Sequence, residues 1–232
     1  MRYCGVVPAR GQLQLALLEE VRAPEPPIRL ASAFFEPGSA EQVAAELSAL
    51  PEAVVAVGAP LTGTDGRACD QLLQGRGVTP QAPDAEIARF VERLTDLAVF
   101  APSGSDSEGP VPEGSYREAA VFETNADGVF CALQGRRLPA KRHPLGVQLR
   151  IGTLAEARVL DDGGELWHRR IEEIDSVAAA LCAHRYAVGH ASWLGQPGEG
   201  VVVLPGASVP GRFSSEGVLP PVERLKLPPV TR

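Results

Sequence analysis

Three features of the chain predict an α/β fold with a mixed sheet and helices on both faces. Three apolar runs precede the first helical pattern, which reads as an antiparallel meander. An unbroken apolar run, Ala53–Val57, then ends in the turn Gly58, Ala59, Pro60. After it, helical periodicity alternates with short strand-like runs.

Arg2–Val7 and Leu13–Leu18 flank Pro8, Ala9, Arg10 and Gly11, the spacing of a hairpin. The Pro-rich turn APEPP leads to a third strand, Ile28–Phe35. Ser39 then caps a helix, with Gln42 as its capping-box partner. Val43, Ala44, Leu47 and Leu50 form the apolar face, and Pro51 stops it. Ala53–Val57 shows no alternation, so both its faces are expected to be covered, as in a parallel pair. Arg67–Leu73 is a short helix. Asp84 caps a longer one with Ile87, Phe90, Val91, Leu94 and Ala98 at helical spacing. Residues 102–114, PSGSDSEGPVPEG, read as a loop by composition, either mobile or a cover over a site.

Ala119–Thr124 is the next strand, and Asn125–Leu133 the next helix. The basic connector QGRRLPAKRHPLG is broken by Pro139 and Pro144, and a helix runs from about Val147 to Ala157. Asp161–Glu165 is a turn. In Ile171–Val188, the residues Ile171, Ile174, Val177, Ala178, Leu181 and Val188 share one helical face, and Gly189 closes the helix. Val201–Leu204 is a short strand. Residues 1–205 read as one domain, and 206–232 as a Pro-rich tail along the surface. This order of elements is the pattern of a ribonuclease H-like α/β fold.

The 232 residues suffice for a full core. A net charge of −7 disfavours a general nucleic-acid coat but leaves room for a local basic groove. Cys4, Cys69, Cys131 and Cys182 form no CxxC pair and read as buried free thiols in a reducing compartment. The start RYCGVVPA carries no signal-peptide pattern and no run is long enough to span a membrane, so a cytoplasmic location is expected. The histidines lack metal spacing. There is no G-x-S-x-G elbow, no G-x-x-x-x-G-K-[ST] loop and no G-x-G-x-x-G after a strand.

Several segments, in order, resemble the family of predicted RNase H-like nucleases first catalogued as a domain of unknown function. CGVVPARG resembles its opening Gly-Ile/Val-Asp strand, and VVAVGAPL its Ile-Asp-Ala-Pro-Leu strand end. RACDQLL resembles its Arg-x-x-Asp helix start, VFETNADGVFCAL its Glu-x-Tyr-Pro segment, and KRHPLGVQLR its Lys-rich segment. EEIDSVAAALCAH resembles its Asp-Ala helix and WLGQPGEGVVVLP its closing strand.

The resemblance implies acidic side chains converging on two Mg²⁺ or Mn²⁺ ions that activate water and stabilise the leaving oxygen. It places the family Glu on Glu123 and the helix Asp on Asp175, both as catalytic residues and metal ligands. Glu172 is the upstream acid of that helix. The family's other two acids fall on Val7 and Gly58, which have no oxygen to offer, and its Tyr-Pro falls on Asn125-Ala126.

Each candidate has two readings. Glu123 is a ligand or a helix-capping carboxylate; Asp175 is a ligand or a salt-bridged helix residue. Asp65 and Asp70 either replace the missing acids or serve as turn and ion-pair residues. Arg136, Arg137, Lys141, Arg142, His143 and Arg150 grip phosphates or form a solvated loop, and Arg67 is a further anion-binding candidate. Three functions follow: a degenerate RNase H-like protein with weak or no nuclease activity, an active Mg²⁺- or Mn²⁺-dependent nuclease with a rebuilt site, or a non-catalytic scaffold or binding module. A nucleic acid on the basic segment is the expected partner of the first two.

Overall fold

The computed structural model describes residues 1–24, 28–62, 66–94, 97–112, 121–161 and 164–215. Its first three strands, β1 (Arg2–Ala9), β2 (Gln12–Arg22) and β3 (Ile28–Phe34), form the expected antiparallel meander. The β1–β2 hairpin turns on Arg10 and Gly11, both at positive φ (53° and 80°). That backbone matches the twist of two-residue hairpins. Helix α1 (Ala40–Ser48) follows, with Ser39 and Gln42 making the reciprocal cap. Strand β4 (Ala53–Val57) returns parallel to β1.

Beyond β4 come α2 (Ala68–Gly75), α3 (Ala85–Arg93), β5 (Glu108–Pro110), β6 (Val121–Thr124), α4 (Ala126–Gln134) and α5 (Pro144–Glu156). A 3-10 turn, Glu165–His168, precedes α6 (Ile171–Ala187), β7 (Ala191–Gln196) and β8 (Gly200–Pro205). The eight strands make one sheet in the order β3-β2-β1-β4-β6-β8-β7-β5. Strands β1, β4, β6 and β8 run parallel, flanked by antiparallel neighbours. The meander joined to parallel strands, with helices on both faces, is the mixed-sheet α/β arrangement the sequence predicts.

Helices α1 and α3 cover one face over Val6, Leu13, Leu15, Val55 and Val57. The other face carries α6, with α4 and α5 packed against it. Helix α6 is therefore enclosed on nearly every side, and all its residues except Ile171, Glu172 and Arg185 are buried. The single apolar face expected from the sequence understates this. The run Ala178, Ala179, Ala180, Cys182, Ala183 carries small side chains all round because both sides are packed. Gly5 on β1 lets the helix come down onto the sheet: a Cβ there would lie 1.9 Å from the Ser176 carbonyl oxygen and 2.4 Å from the Ala180 nitrogen.

Several boundaries depart from the sequence reading. Pro144 opens α5 instead of breaking it, because the first helical turn needs no N–H from that residue and His143 Nδ1 caps Leu145 N–H. Helix α3 stops at Arg93; Ala98 and Phe100 instead hydrogen-bond to Val121. Part of the loop expected at 102–114 is the edge strand β5 on β7, and residues 113–114 lie outside the described residues. Strand β7 was not anticipated from the sequence. Of the tail, Phe213 is buried in the core, and residues 216–232 lie outside the described residues. Among the described residues, no helix is long and apolar enough to cross a membrane.

Candidate functional site

The carboxyl ends of the parallel strands bring most of the expected positions together. Val6, Val57, Glu123 and Val202 form one row across β1, β4, β6 and β8. Gly58 N–H extends the ladder to the Val6 carbonyl at 2.7 Å. Val7 and Gly58 are neighbours in space: a Cβ on Gly58 would stand 2.7 Å from Val7 Cγ1. The space where an acid at 58 would begin is filled by a valine methyl. Val7 itself is 4% exposed and belongs to the core.

Glu123 lies beside this pair and is 4% exposed. Its carboxylate is held by a guanidinium. Arg67 Nη1 donates to Oε2 at 2.7 Å and Nη2 to Oε1 at 2.6 Å, and Leu61 N–H adds a third bond at 3.1 Å. The same guanidinium donates from Nε to Asp70 Oδ2 at 3.2 Å and from Nη2 to Asp70 Oδ1 at 3.1 Å; Nη1 also reaches Thr62 Oγ1 at 3.4 Å. Local sequence sets this up. Arg67 is the N-cap of α2, and Asp70, in the first turn, accepts the Arg67 backbone N–H. Glu199, on the β7–β8 turn, accepts Ala68 N–H at 3.1 Å and pins the same helix start. Burial works against the Arg67 charge, but the bonds from Glu123 and Asp70 outweigh it and hold its pKa above the ordinary value. Burial pushes the Glu123 carboxyl up, against the pull of Arg67 and of Leu61 N–H.

Asp175 sits on α6, 4% exposed, in a second group. Lys141 Nζ donates to Oδ2 at 2.8 Å, whereas Oδ1 is buried without a hydrogen-bond partner among the described residues. Burial pushes this carboxyl from 3.8 up to about 6, although Lys141 pulls the other way. Burial alone would lower the Lys141 pKa, but the Asp175 charge and hydrogen bond leave it raised. Asp127 and Arg150 also act on Asp175 through their charges. Arg150 Nη2 binds Asp127 Oδ1 at 2.6 Å, and Nη1 binds the Pro139 and Gly146 carbonyls, each at 3.0 Å. The guanidinium stands 5.4 Å from the Phe130 ring centroid.

These contacts correct the sequence reading of the basic residues. Arg67 and Arg150 are buried at 2% and 3% exposure and bound to protein oxygens, so neither offers a face to an outside phosphate. Lys141 is committed to Asp175. Arg137 and Arg142 are exposed, with Arg137 draped over Gly77, where a Cβ would lie 2.9 Å from its Cδ. Glu172 is half-buried and makes no ion pair among the described residues. Its neighbour Glu173 takes the cap instead, accepting the Arg170 N–H at 2.8 Å. Asp65 lies outside the described residues. Asp70 is the ion-pair residue of its two readings.

Mg²⁺ or Mn²⁺, which the resemblance implies, finds no fitting donor set here. Val7 and Gly58 supply no oxygen, both Glu123 oxygens are taken by Arg67, and Asp175 answers to a different cation. Among the described residues, no group of three or more His, Cys, Asp or Glu side chains is arranged to hold a metal. The sequence reading missed Asp127, whose signal was an acid in the first turn of a helix following a strand end. It also missed Glu199 and the Leu61 N–H, which reach the site through tertiary contacts and carry no local signature.

No family model matches the sequence, and no curated protein matches it. Among solved structures, the Thermus thermophilus RuvC structure is similar at a TM-score of 0.39, with 14% identity over 81% of this chain and 95% of that one.

Proposed function

We propose that this chain is a ribonuclease H-like protein whose metal centre has degenerated, with weak or no nuclease activity. One observation carries the reading: Val7 Cγ1 fills the space at Gly58 where two family acids would meet. Restoring either acid alone leaves the other position apolar or closed. The carboxylates of this site, bound to Arg67 and Lys141, do not present the open oxygen set that a nuclease metal needs. What the geometry leaves for a partner is the exposed part of the basic segment, Arg137 and Arg142, suited to a phosphate backbone rather than to base recognition.

The test is a cleavage assay with single- and double-stranded DNA and RNA in Mn²⁺, comparing the parent with Glu123→Gln/Asp175→Asn. The expected outcome is no cleavage by either. Cleavage by the parent that disappears in the variant overturns the proposal. Salt-dependent binding to a labelled oligonucleotide tests the partner, and is expected to weaken when Arg137 and Arg142 are both changed to Ala.

A further inference from the structure

We infer that Arg158 and Arg185, with Arg22 beside them, form a binding site for a phosphate dianion at the end of α6 remote from Asp175. Arg185 follows Asp175 by about 15 Å along the helix axis, so the inference does not rest on the reading of the metal centre above.

A chain of contacts brings the three arginines to one end of the molecule. Leu30 on β3 donates its N–H to the Arg158 carbonyl at 2.9 Å, and Leu160 N–H returns to the Leu30 carbonyl at 2.8 Å. Leu30 stands opposite Glu20 on β2, and Ile28 stands opposite Arg22. Arg22 shares a face of that strand with Glu20, because side chains alternate. Glu20 Oε1 meets His184 Nε2 at 3.2 Å, and Arg185 is the next residue of α6. The same Glu20 oxygen accepts from Tyr3 Oη at 3.1 Å. Among the described residues, the side chains of Arg22, Arg158 and Arg185 make no ion pair and no hydrogen bond. Arg22 and Arg158 are exposed and Arg185 is half-buried. Burial, and then the like charge of Arg158, lower the Arg185 pKa. In a chain of net charge −7, cations gathered without an acid are out of place.

The backbone at Arg158 points the same way. Its N–H bonds the Ala155 carbonyl at 2.9 Å, and Val159 N–H bonds the Leu154 carbonyl at 3.0 Å. These are the paired bonds of a helix end that favours glycine at the left-handed position. Arg158 occupies that position at φ 71°, a conformation strained for a residue with a Cβ and relaxed for glycine. The negative pole of a helix end favours an arginine in the last turn, but it does not require one at the strained residue. Strain kept at one position is a mark of function. Guanidinium forks match phosphate oxygens. Two or three of them together match a phosphate monoester or free phosphate, which carries nearly two charges, better than a diester, which carries one.

The experiment uses the full chain as parent, Arg158→Gly and Arg185→Gln. Inorganic phosphate is the probe, and potassium chloride at equal ionic strength is the control. Isothermal titration reads binding, and melting temperature reads its effect on the fold. The parent is expected to bind one phosphate per chain and to melt higher in phosphate than in chloride. Each variant is expected to bind about tenfold or more weakly and to lose that rise. Arg158→Gly is also expected to melt about 2–4 °C above the parent in chloride, because glycine relaxes the backbone and the repulsion from Arg185 is gone. No binding by the parent, binding kept by Arg158→Gly, or a melting temperature of Arg158→Gly in chloride at or below the parent's overturns the inference. If Arg185→Gln does not fold, Arg158→Gly, changed at an exposed position, decides alone. A dinucleotide with a 5′-phosphate is expected to compete with inorganic phosphate, and the same dinucleotide without it is not. Equal competition by the two overturns the assignment to a dianion.

Discussion

Asp175→Asn is expected to change how stability depends on pH. Burial raises the native carboxyl from 3.8 to about 6. Between those values the folded protein holds a proton that the unfolded chain has released. Stability from this group is therefore fully present below about pH 4 and is lost as pH rises through about 6. A shift of roughly two pH units at 1.36 kcal/mol each gives a swing of about 3 kcal/mol. Asparagine keeps an oxygen to accept from Lys141 and cannot ionise, so the swing disappears. Other acids contribute slopes of their own, Glu123 with the same sign and Glu173, held low by the Arg170 backbone and side chain against the effect of burial, with the opposite one. They are common to both proteins and cancel in the difference. The assay is urea denaturation of parent and variant at half-unit steps between pH 4 and 8. The variant should gain on the parent by about 3 kcal/mol across that range. Parallel curves would mean that Asp175 titrates as an ordinary carboxylate, and that water reaches its orphaned Oδ1.

Gly5→Ala should cost about 3 kcal/mol or more, or prevent folding, because its Cβ would meet backbone atoms of Ser176 and Ala180 that cannot swing aside. An unchanged denaturation midpoint would show that α6 does not rest on β1 as described. Gly58→Ala should cost about 1–3 kcal/mol, and less when combined with Val7→Ala, which removes the opposing methyl; additive costs in chemical denaturation would contradict the contact. Glu123→Leu leaves Arg67 buried with Asp70 alone and should cost about 3–5 kcal/mol, most of it recovered when Arg67→Met is added. Equal stabilities for the single and double variants would deny the coupling.

How much of this was legible in the chain follows from the range of the forces involved. The cap of α1 was readable because Ser39 and Gln42 act within one turn. The central strand was readable because Ala53–Val57 is apolar on both faces, as a strand covered by helices must be. Strand β7 was not. Its sequence, ASWLGQ, mixes small and polar residues, and it becomes a strand by pairing with β8 and β5. The positions of Val7, Gly58 and Glu123 followed from strand order and the resemblance. The partners of the acids did not, because Arg67 lies 56 residues from Glu123 and Lys141 lies 34 from Asp175. Seen as a sequence, Arg67, Lys141 and Arg150 are spare positive charges and suggest phosphate binding. Only the folded contacts show that their charge is consumed inside.

That consumption separates two tasks that one metal ion performs together in a nuclease. A metal neutralises buried carboxylates, and it keeps a coordination position open for water or a scissile phosphate. Arg67 can do the first: its fork matches Glu123 in a bidentate pair and Asp70 in a second one. It cannot do the second, since its donors end on protein oxygens and it sits 2% exposed. Lys141 and Arg150 divide the same work between Asp175 and Asp127. In that second group two cations face two carboxylates, so burial remains as the force that lifts the Asp175 pKa. Around Arg67 two carboxylates face one cation, so the surplus negative charge stays in the group. The two groups should therefore respond differently to change. Neutralising Asp175 relieves a burial penalty, whereas removing Arg67 leaves the Glu123 and Asp70 carboxylates without their cation.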